Sequence, residues 1–329
     1  MAWFKTFRKQ KHDAMNRSGL EYTKTDQEEE DHFMAKHTHQ YTPDVKDRKG
    51  TIHRERAIMG YEDTVRAARK HHVDSSPVFV ESVKGKIFMT DYTETIRIYN
   101  TNGKRLPSVH AESQHSMLSG MAINSTEKSL FVCDAHAKGQ ARVQIFNIAD
   151  DITPVVYLGH GLFQAPHGIT VTDDNRTLVT DVERKEVFII QDDGYNALCF
   201  GGPGRRPGQF SFPHDVIYDA QHRRVVVSDT HNHRLQVFND QGQFLEVIEF
   251  DADGSRLFNY PTGMKLDPVG NLLVCENGSD SLKILDKDYR PFRTLSMSSM
   301  GLKNPTSVAV LPYERLCVSS REQSCIVIF

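Results

Sequence analysis

Phe212-Pro213-His214-Asp215-Val216, followed by Val225-Val226-Val227-Ser228-Asp229-Thr230-His231-Asn232-His233-Arg234 and then Leu235-Gln236-Val237-Phe238, is one unit of a recurring pattern. A turn proline leads into a short apolar strand. A second apolar strand ends in an acid, and a third alternates apolar with polar residues. A two-residue alternation rich in β-branched and aromatic side chains is the pattern of a strand with one buried face.

Working outward, the opening recurs as Pro77-Val78-Phe79-Val80, Gly120-Met121-Ala122-Ile123, Pro166-His167-Gly168-Ile169, Pro261-Thr262-Gly263-Met264 and Pro305-Thr306-Ser307-Val308. The second strand recurs as Ile87-Phe88-Met89-Thr90-Asp91, Leu130-Phe131-Val132-Cys133-Asp134, Thr177-Leu178-Val179-Thr180-Asp181, Leu272-Leu273-Val274-Cys275-Glu276 and Leu316-Cys317-Val318-Ser319. Most units add a fourth strand, as in Phe244-Leu245-Glu246-Val247-Ile248. A repeat of roughly forty residues, each reading as four short strands, implies an all-β propeller, and the six units imply six blades. A propeller is a frame for loops around a channel, so function is sought in loops.

The run Asn232-His233-Arg234-Leu235, with its lead-in Gly201-Gly202-Pro203-Gly204-Arg205-Arg206-Pro207-Gly208-Gln209-Phe210, resembles the NHL repeat. The fourth unit carries the resemblance most closely; the others match in spacing more than in identity, over about residues 75–329. The resemblance implies the fold but not one function, because unrelated jobs are grafted on such folds.

The last unit ends with a third strand, Cys325-Ile326-Val327-Ile328-Phe329. An open blade edge would expose unpaired backbone groups. An N-terminal strand is expected to close that blade, and the charged segment at about 52–60 (Ile52 to Gly60) is placed there, with loop or helix as the alternative. The propeller is thus read as 50–329. Residues 1–49 are polar, with an acidic run Glu28-Glu29-Glu30-Asp31, and read as a mostly disordered extension. A docking peptide using Trp3, Phe4 and Phe7 is the alternative.

With 40 basic and 43 acidic residues, the net charge is −3, so any basic footprint for nucleic acid must be local. The five cysteines show no metal spacing and no secreted framework, and most sit in apolar strands as small core residues. With no secretory signal and no membrane span recognised, a cytoplasmic protein is expected.

Loops joining fourth to first strands and second to third strands share one face of a propeller. That face is assigned Arg66, Arg69, Lys70, His71, His72, Arg205 and Arg206 from the first set, and Arg184, Lys185, His231, His233 and Arg321 from the second. His167, His214, Thr262 and Thr306 are placed near the channel mouth, and Asp91, Asp134, Asp181, Glu183 and Asp215 on the same face. The mixed charge suits a platform for protein partners. Cations with stacking planes equally suit single-stranded RNA, and the resemblance adds that NHL domains of tripartite-motif proteins bind RNA on a comparable face. The acids that close the second strands also suit a scaffold role, bonding loop amides.

A third reading is enzymatic. Pro166-His167-Gly168 and Pro213-His214-Asp215 look like the zinc-binding runs of the peptide-amidating lyase, another six-bladed propeller. A zinc lyase wants three converging histidines and an open coordination position. Here two such runs fall in adjacent blades, with His115 as a poorly aligned third, so a non-enzymatic module without metal, cofactor or small-molecule substrate is expected. His231 and His233 are expected to point to opposite sides of a strand.

Overall fold

A computed structural model describes residues 68–329, apart from 137–139, 150–151, 195 and 252. The extension 1–49, the segment 52–60 and Arg66 lie outside the described residues. The described chain forms six four-stranded antiparallel sheets arranged as propeller blades, the all-β architecture implied by the repeat. Five blades run in chain order from innermost to outermost strand; their inner strands are Phe79–Val83, Leu118–Ile123, Pro166–Val171, Pro213–Asp219 and Pro261–Leu266.

The sixth blade contains Pro305–Val310, Leu316–Ser320 and Cys325–Ile328, and its outer strand comes from before the first blade. That strand is Arg69–His72, pairing antiparallel with Cys325–Ile328 from Arg69↔Ile328 to His72↔Cys325. An N-terminal strand, Arg69–His72, therefore takes the outer place in the sixth blade, while the segment 52–60 expected there lies outside the described residues. Arg69, Lys70 and His72 are exposed on this outermost strand, so it carries no apolar alternation to read. Lys70 fastens it by donating from Nζ to the Gly301 carbonyl at 2.6 Å.

Apolar faces of neighbouring blades pack against each other. Leu178, Val187 and Ile189 of the third blade meet Val216, Val225, Val227 and Phe238 of the fourth. Val80, Ile87 and Met89 of the first meet Ala309, Cys317 and Ile326 of the sixth, so this packing runs across the closure as well. Cys133, Cys275, Cys317 and Cys325 are buried as core residues, whereas Cys199 is exposed on an outer strand. Burial raises the Cys317 thiol to about 12, which keeps it protonated and unreactive.

At the neck, the inner strands approach closely. A Cβ on Gly168 would lie 2.6 Å from Asp215 Cα, and one on Gly120 would lie 2.1 Å from the His167 carbonyl oxygen. The register places Phe79 in the first blade and Asp215 in the fourth at the position these glycines occupy. Asp215 turns into the wall, where Oδ1 accepts the Val216 N–H at 2.9 Å and Oδ2 the Met264 N–H of the fifth blade at 2.8 Å. Phe79 turns across the channel, its ring centroid 5.3 Å from those of both His167 and His214. Below it lies a chamber of about 200 Å³, lined by Asp215 and by the Glu81–Lys265 ion pair at 2.5 Å, which joins the first and fifth blades.

The acids closing the second strands bind loop groups. Asp181 accepts N–H bonds from Gln164 at 2.7 Å, Glu183 at 3.0 Å and Arg184 at 3.0 Å. Asp229 accepts from Ser211 N at 2.8 Å, Asn232 Nδ2 at 2.7 Å and Arg234 Nε at 2.9 Å. Asp134 and Glu276 do the same with Met117 N and Asn259 N, both at 2.9 Å. Each ties the loop before the first strand to the turn after the second. Arg234 donates on to the Arg206 and Gln209 carbonyls.

Asp229→Ala leaves the buried Arg234 guanidinium without its carboxylate and should destabilise the fold by about 3–5 kcal/mol, read as a lowered denaturant midpoint. Asp215 supplies a second prediction. Burial pushes its carboxyl up to about 7, against 3.8 for the ordinary group. The folded state thus holds a proton that the unfolded chain releases. Stability from this group is full below the unfolded value and is lost as pH rises through 7. Asp215→Asn should remove that decline, flattening stability between about pH 4 and 7; an unchanged slope would show that another group causes it.

Candidate binding site

The start of each inner strand puts one residue on the channel rim: Val78, Ser119, His167, His214, Thr262 and Thr306 by register. Most serve as staples between blades. The Ser119 hydroxyl donates to the Pro166 carbonyl at 3.1 Å, Thr262 to Pro305 at 3.1 Å and Thr306 to Pro77 at 3.3 Å. His167 Nδ1 donates to the His214 carbonyl at 2.7 Å, which leaves Nε2 to accept the Tyr92 hydroxyl at 2.6 Å. Burial lowers His167 to about 4, so it is neutral in this tautomer. His214 is also depressed by burial, and its buried Nδ1 has no partner among the described residues. At the rim the fourth blade is tied to the fifth instead by the Thr230 hydroxyl, which donates to the Pro261 carbonyl at 2.6 Å.

Above this rim lies an open basin of about 580 Å³. His167 and His214 form part of its floor, with ring centroids 4.5 Å apart. Its walls carry a run of aromatic rings. Phe212 lies 5.7 Å from His167 and 4.8 Å from His231, and Tyr260 lies 6.2 Å from His231 and 4.2 Å from His233. Two cations lie over rings of this run: Arg321 over Tyr92 at 5.1 Å and Lys185 over Phe212 at 5.6 Å. Thr230, Asn277 and Asn304 add polar groups to the lining, and Arg321 and Glu322 stand together on it.

A second hollow of about 270 Å³ adjoins the basin and shares His231 with it. Arg205, His233, Arg234, Arg256 and Glu249 line it. His231 and His233 do not diverge as strand residues would. Thr230–Asn232 is a short 3-10 turn and His233 has a left-handed backbone, φ 57°, so both rings meet Tyr260.

Of the residues assigned to the face from sequence, the structure gathers His167, His214, His231 and Arg321 in the basin, Lys185 over its Phe212 wall and Arg205 in the adjoining hollow. Arg206 is exposed on the loop beside that hollow. Arg184 is drawn aside by Glu186 at 2.8 Å. Arg69 and Lys70 belong to the outer closing strand, not to the mouth, because the chain there extends a blade edge instead of looping over the channel. Asp215 is in the neck wall and does not face the mouth. Tyr92, Phe212, Tyr260 and Arg256 were absent from the assignment. Phe212 and Tyr260 each precede the turn proline of a unit, a position the repeat itself marks as close to the mouth.

The histidine runs do not fit a catalytic zinc. Both His167 nitrogens are engaged by protein groups, and His115 sits beside His136, ring centroids 6.1 Å apart. No group of three suitable ligands occurs among the described residues. Among the same residues, no helix is long and apolar enough to cross a membrane.

The NHL repeat family model matches residues 210–238. Brain tumor protein of Drosophila melanogaster is 26% identical over 35% of this chain and 11% of its own length. Peptidyl-glycine alpha-amidating monooxygenase of Mus musculus is 27% identical over 47% of this chain and 17% of its own. The chain thus spans only a small part of the length of these relatives. Among solved structures, a streptogramin B lyase superposes with a TM-score of 0.55 at 12% identity, covering 79% of this chain and 96% of that one, which is a likeness of fold. The chain is thus a six-bladed β-propeller whose fourth blade matches the NHL repeat.

Proposed function

We propose that this propeller is a non-enzymatic binding module whose mouth takes an extended segment of a partner protein. The observation that carries the reading is the basin of about 580 Å³, closed below by packed side chains and walled by partly exposed rings. A floor closed by His167, His214 and Phe79 suits a segment lying across the mouth, with one apolar or aromatic side chain turned inward. Tyr260 is 42% exposed and presents a rigid amphipathic ring of the type that anchors interfaces. Thr230, Asn277 and Asn304 supply hydrogen-bonding groups for a peptide backbone. The engagement of both His167 nitrogens supports a structural rather than a catalytic role for the histidine run. Unpaired cysteines support a cytoplasmic setting.

A second reading is single-stranded RNA. Arg321 over Tyr92 and Lys185 over Phe212 favour it, because bases stack on such surfaces. Against it, Glu322 shares the basin lining and Arg184 is occupied by Glu186.

Panning a random peptide display library on the full chain should enrich a motif with an apolar or aromatic anchor. Tyr260→Ala or Phe212→Ala should weaken the selected peptide roughly tenfold or more by fluorescence anisotropy, without lowering the melting temperature greatly. If no peptide enriches while a random single-stranded RNA pool yields a motif that survives near-physiological salt, the RNA reading replaces this one.

A further inference from the structure

The hollow beside the basin lies between the fourth and fifth blades and has its own chemistry. Three parts of the chain build it: the loop 202–209 with Arg205, the 3-10 turn and its cap with His231, Asn232 and His233, and the pair Glu249 and Arg256. Arg234 forms part of its lining but is committed, with Nε on Asp229 at 2.9 Å and a terminal nitrogen on the Arg206 and Gln209 carbonyls. Arg205 has no acidic partner among the described residues. Arg256 reaches Glu249 at 3.2 Å with a side chain that is 49% exposed, so solvent and a ligand both compete for it. Two arginines, Arg205 and Arg256, and two histidines, His231 and His233, thus converge on about 270 Å³ that holds the one carboxylate of Glu249.

The two arginines lie close enough to act on the neighbouring histidine. Burial first, and then the charges of Arg256, His231 and Arg205, push His233 below its ordinary value. A bound anion would relieve that repulsion. Elsewhere on the mouth face the cations are dispersed or engaged, Arg184 by Glu186 and Lys185 by the Val182 carbonyl.

We propose that this hollow is a seat for a phosphoryl group carried on a side chain of the peptide that occupies the basin. The inference rests on the reading of the mouth as a peptide site and adds the partner's chemistry to it. A phosphate monoester carries close to two negative charges near neutrality and offers three acceptor oxygens to surrounding donors. Guanidinium groups match that geometry in fork fashion. One compact cationic hollow suits one such group, whereas a polynucleotide repeats its charge at every residue and needs a track of cations to match. The shared His231 and the ring of Tyr260, in contact with both histidines, set the phosphoryl seat directly against the anchor basin. A single short segment therefore spans both.

The full chain is titrated with two peptide libraries that differ only in a fixed phosphoserine or serine, and with inorganic phosphate. The expected result is at least tenfold tighter binding of the phosphoserine library, abolished by Arg205→Ala with Arg256→Ala. Both substitutions fall on solvent-accessible side chains, and an unchanged melting temperature checks the fold. Arg223→Ala, an exposed arginine paired with Asp240, serves as the control and should change nothing. Tyr260→Ala should weaken phosphorylated and unphosphorylated peptides by the same factor. Equal binding of the two libraries overturns the phosphoryl seat while leaving the peptide reading intact. Loss of all peptide binding, with only inorganic phosphate retained, overturns both. Displacement of the phosphopeptide by single-stranded RNA with a salt slope of several counterions assigns the hollow to a nucleic-acid track and overturns the proposal.

Discussion

A carboxylate buried at the end of a strand has to be met by donors, and in this propeller that requirement organises the mouth face. Asp134, Asp181, Asp229 and Glu276 each collect amide or side-chain donors from the loop before their blade and from the turn after their own strand. An unmet charge there costs several kcal/mol, so the two loop sets cannot move independently. The loops that carry the site are therefore fixed parts of the blades.

The fourth blade shows how this fixing builds a site. Asp229 holds Ser211 on one side and Asn232 on the other, and Arg234 carries the connection on to the carbonyls of Arg206 and Gln209. Phe212, His231 and Arg205 are neighbours of these anchors in sequence, so their positions follow from bonds that do not involve their own side chains. The histidines and threonines of the rim repeat the same division of labour. His167, Thr262 and Thr306 bond the carbonyls of the next blade, and the exposed rings around them are left for a partner. Asp91 likewise pairs with Arg97 at 2.5 Å and accepts from the Thr93 amide, and between them Tyr92 reaches His167.

The blades were legible in the sequence because burial on a strand face writes a two-residue period, and that period holds across the six units. The closing strand was not legible, because Arg69-Lys70-His71-His72 is an outermost strand with little burial, placed by backbone pairing and the Lys70 contact to Gly301. The same limit applied to the site. Charge at loop positions picked out Arg205, Arg321 and Lys185, but it also picked out Arg184, whose neighbour Glu186 draws it aside, and Lys70, which is used in closure. Tyr260 and Phe212 were readable in principle from their place before a repeat proline. Their joining with Tyr92 around the mouth was not, because it depends on the curvature of the ring, which brings units far apart in sequence within reach.

Phe79 decides what kind of cavity the mouth is. The repeat puts glycine at its position in the second, third and fifth blades, where a Cβ would strike the neighbouring strand. In the first blade that position carries a phenylalanine, whose ring crosses the channel toward His167 and His214 on the far side. Their buried neutral rings accept this apolar contact, which charged imidazoles would not tolerate at the same cost. The depressed histidines and the channel plug are therefore one arrangement: burial by Phe79 helps keep His167 uncharged, and an uncharged His167 gives Phe79 a surface to pack on. Phe79 thus stands between a basin at the mouth and a lower chamber, and a partner at the mouth meets the loops rather than the axis.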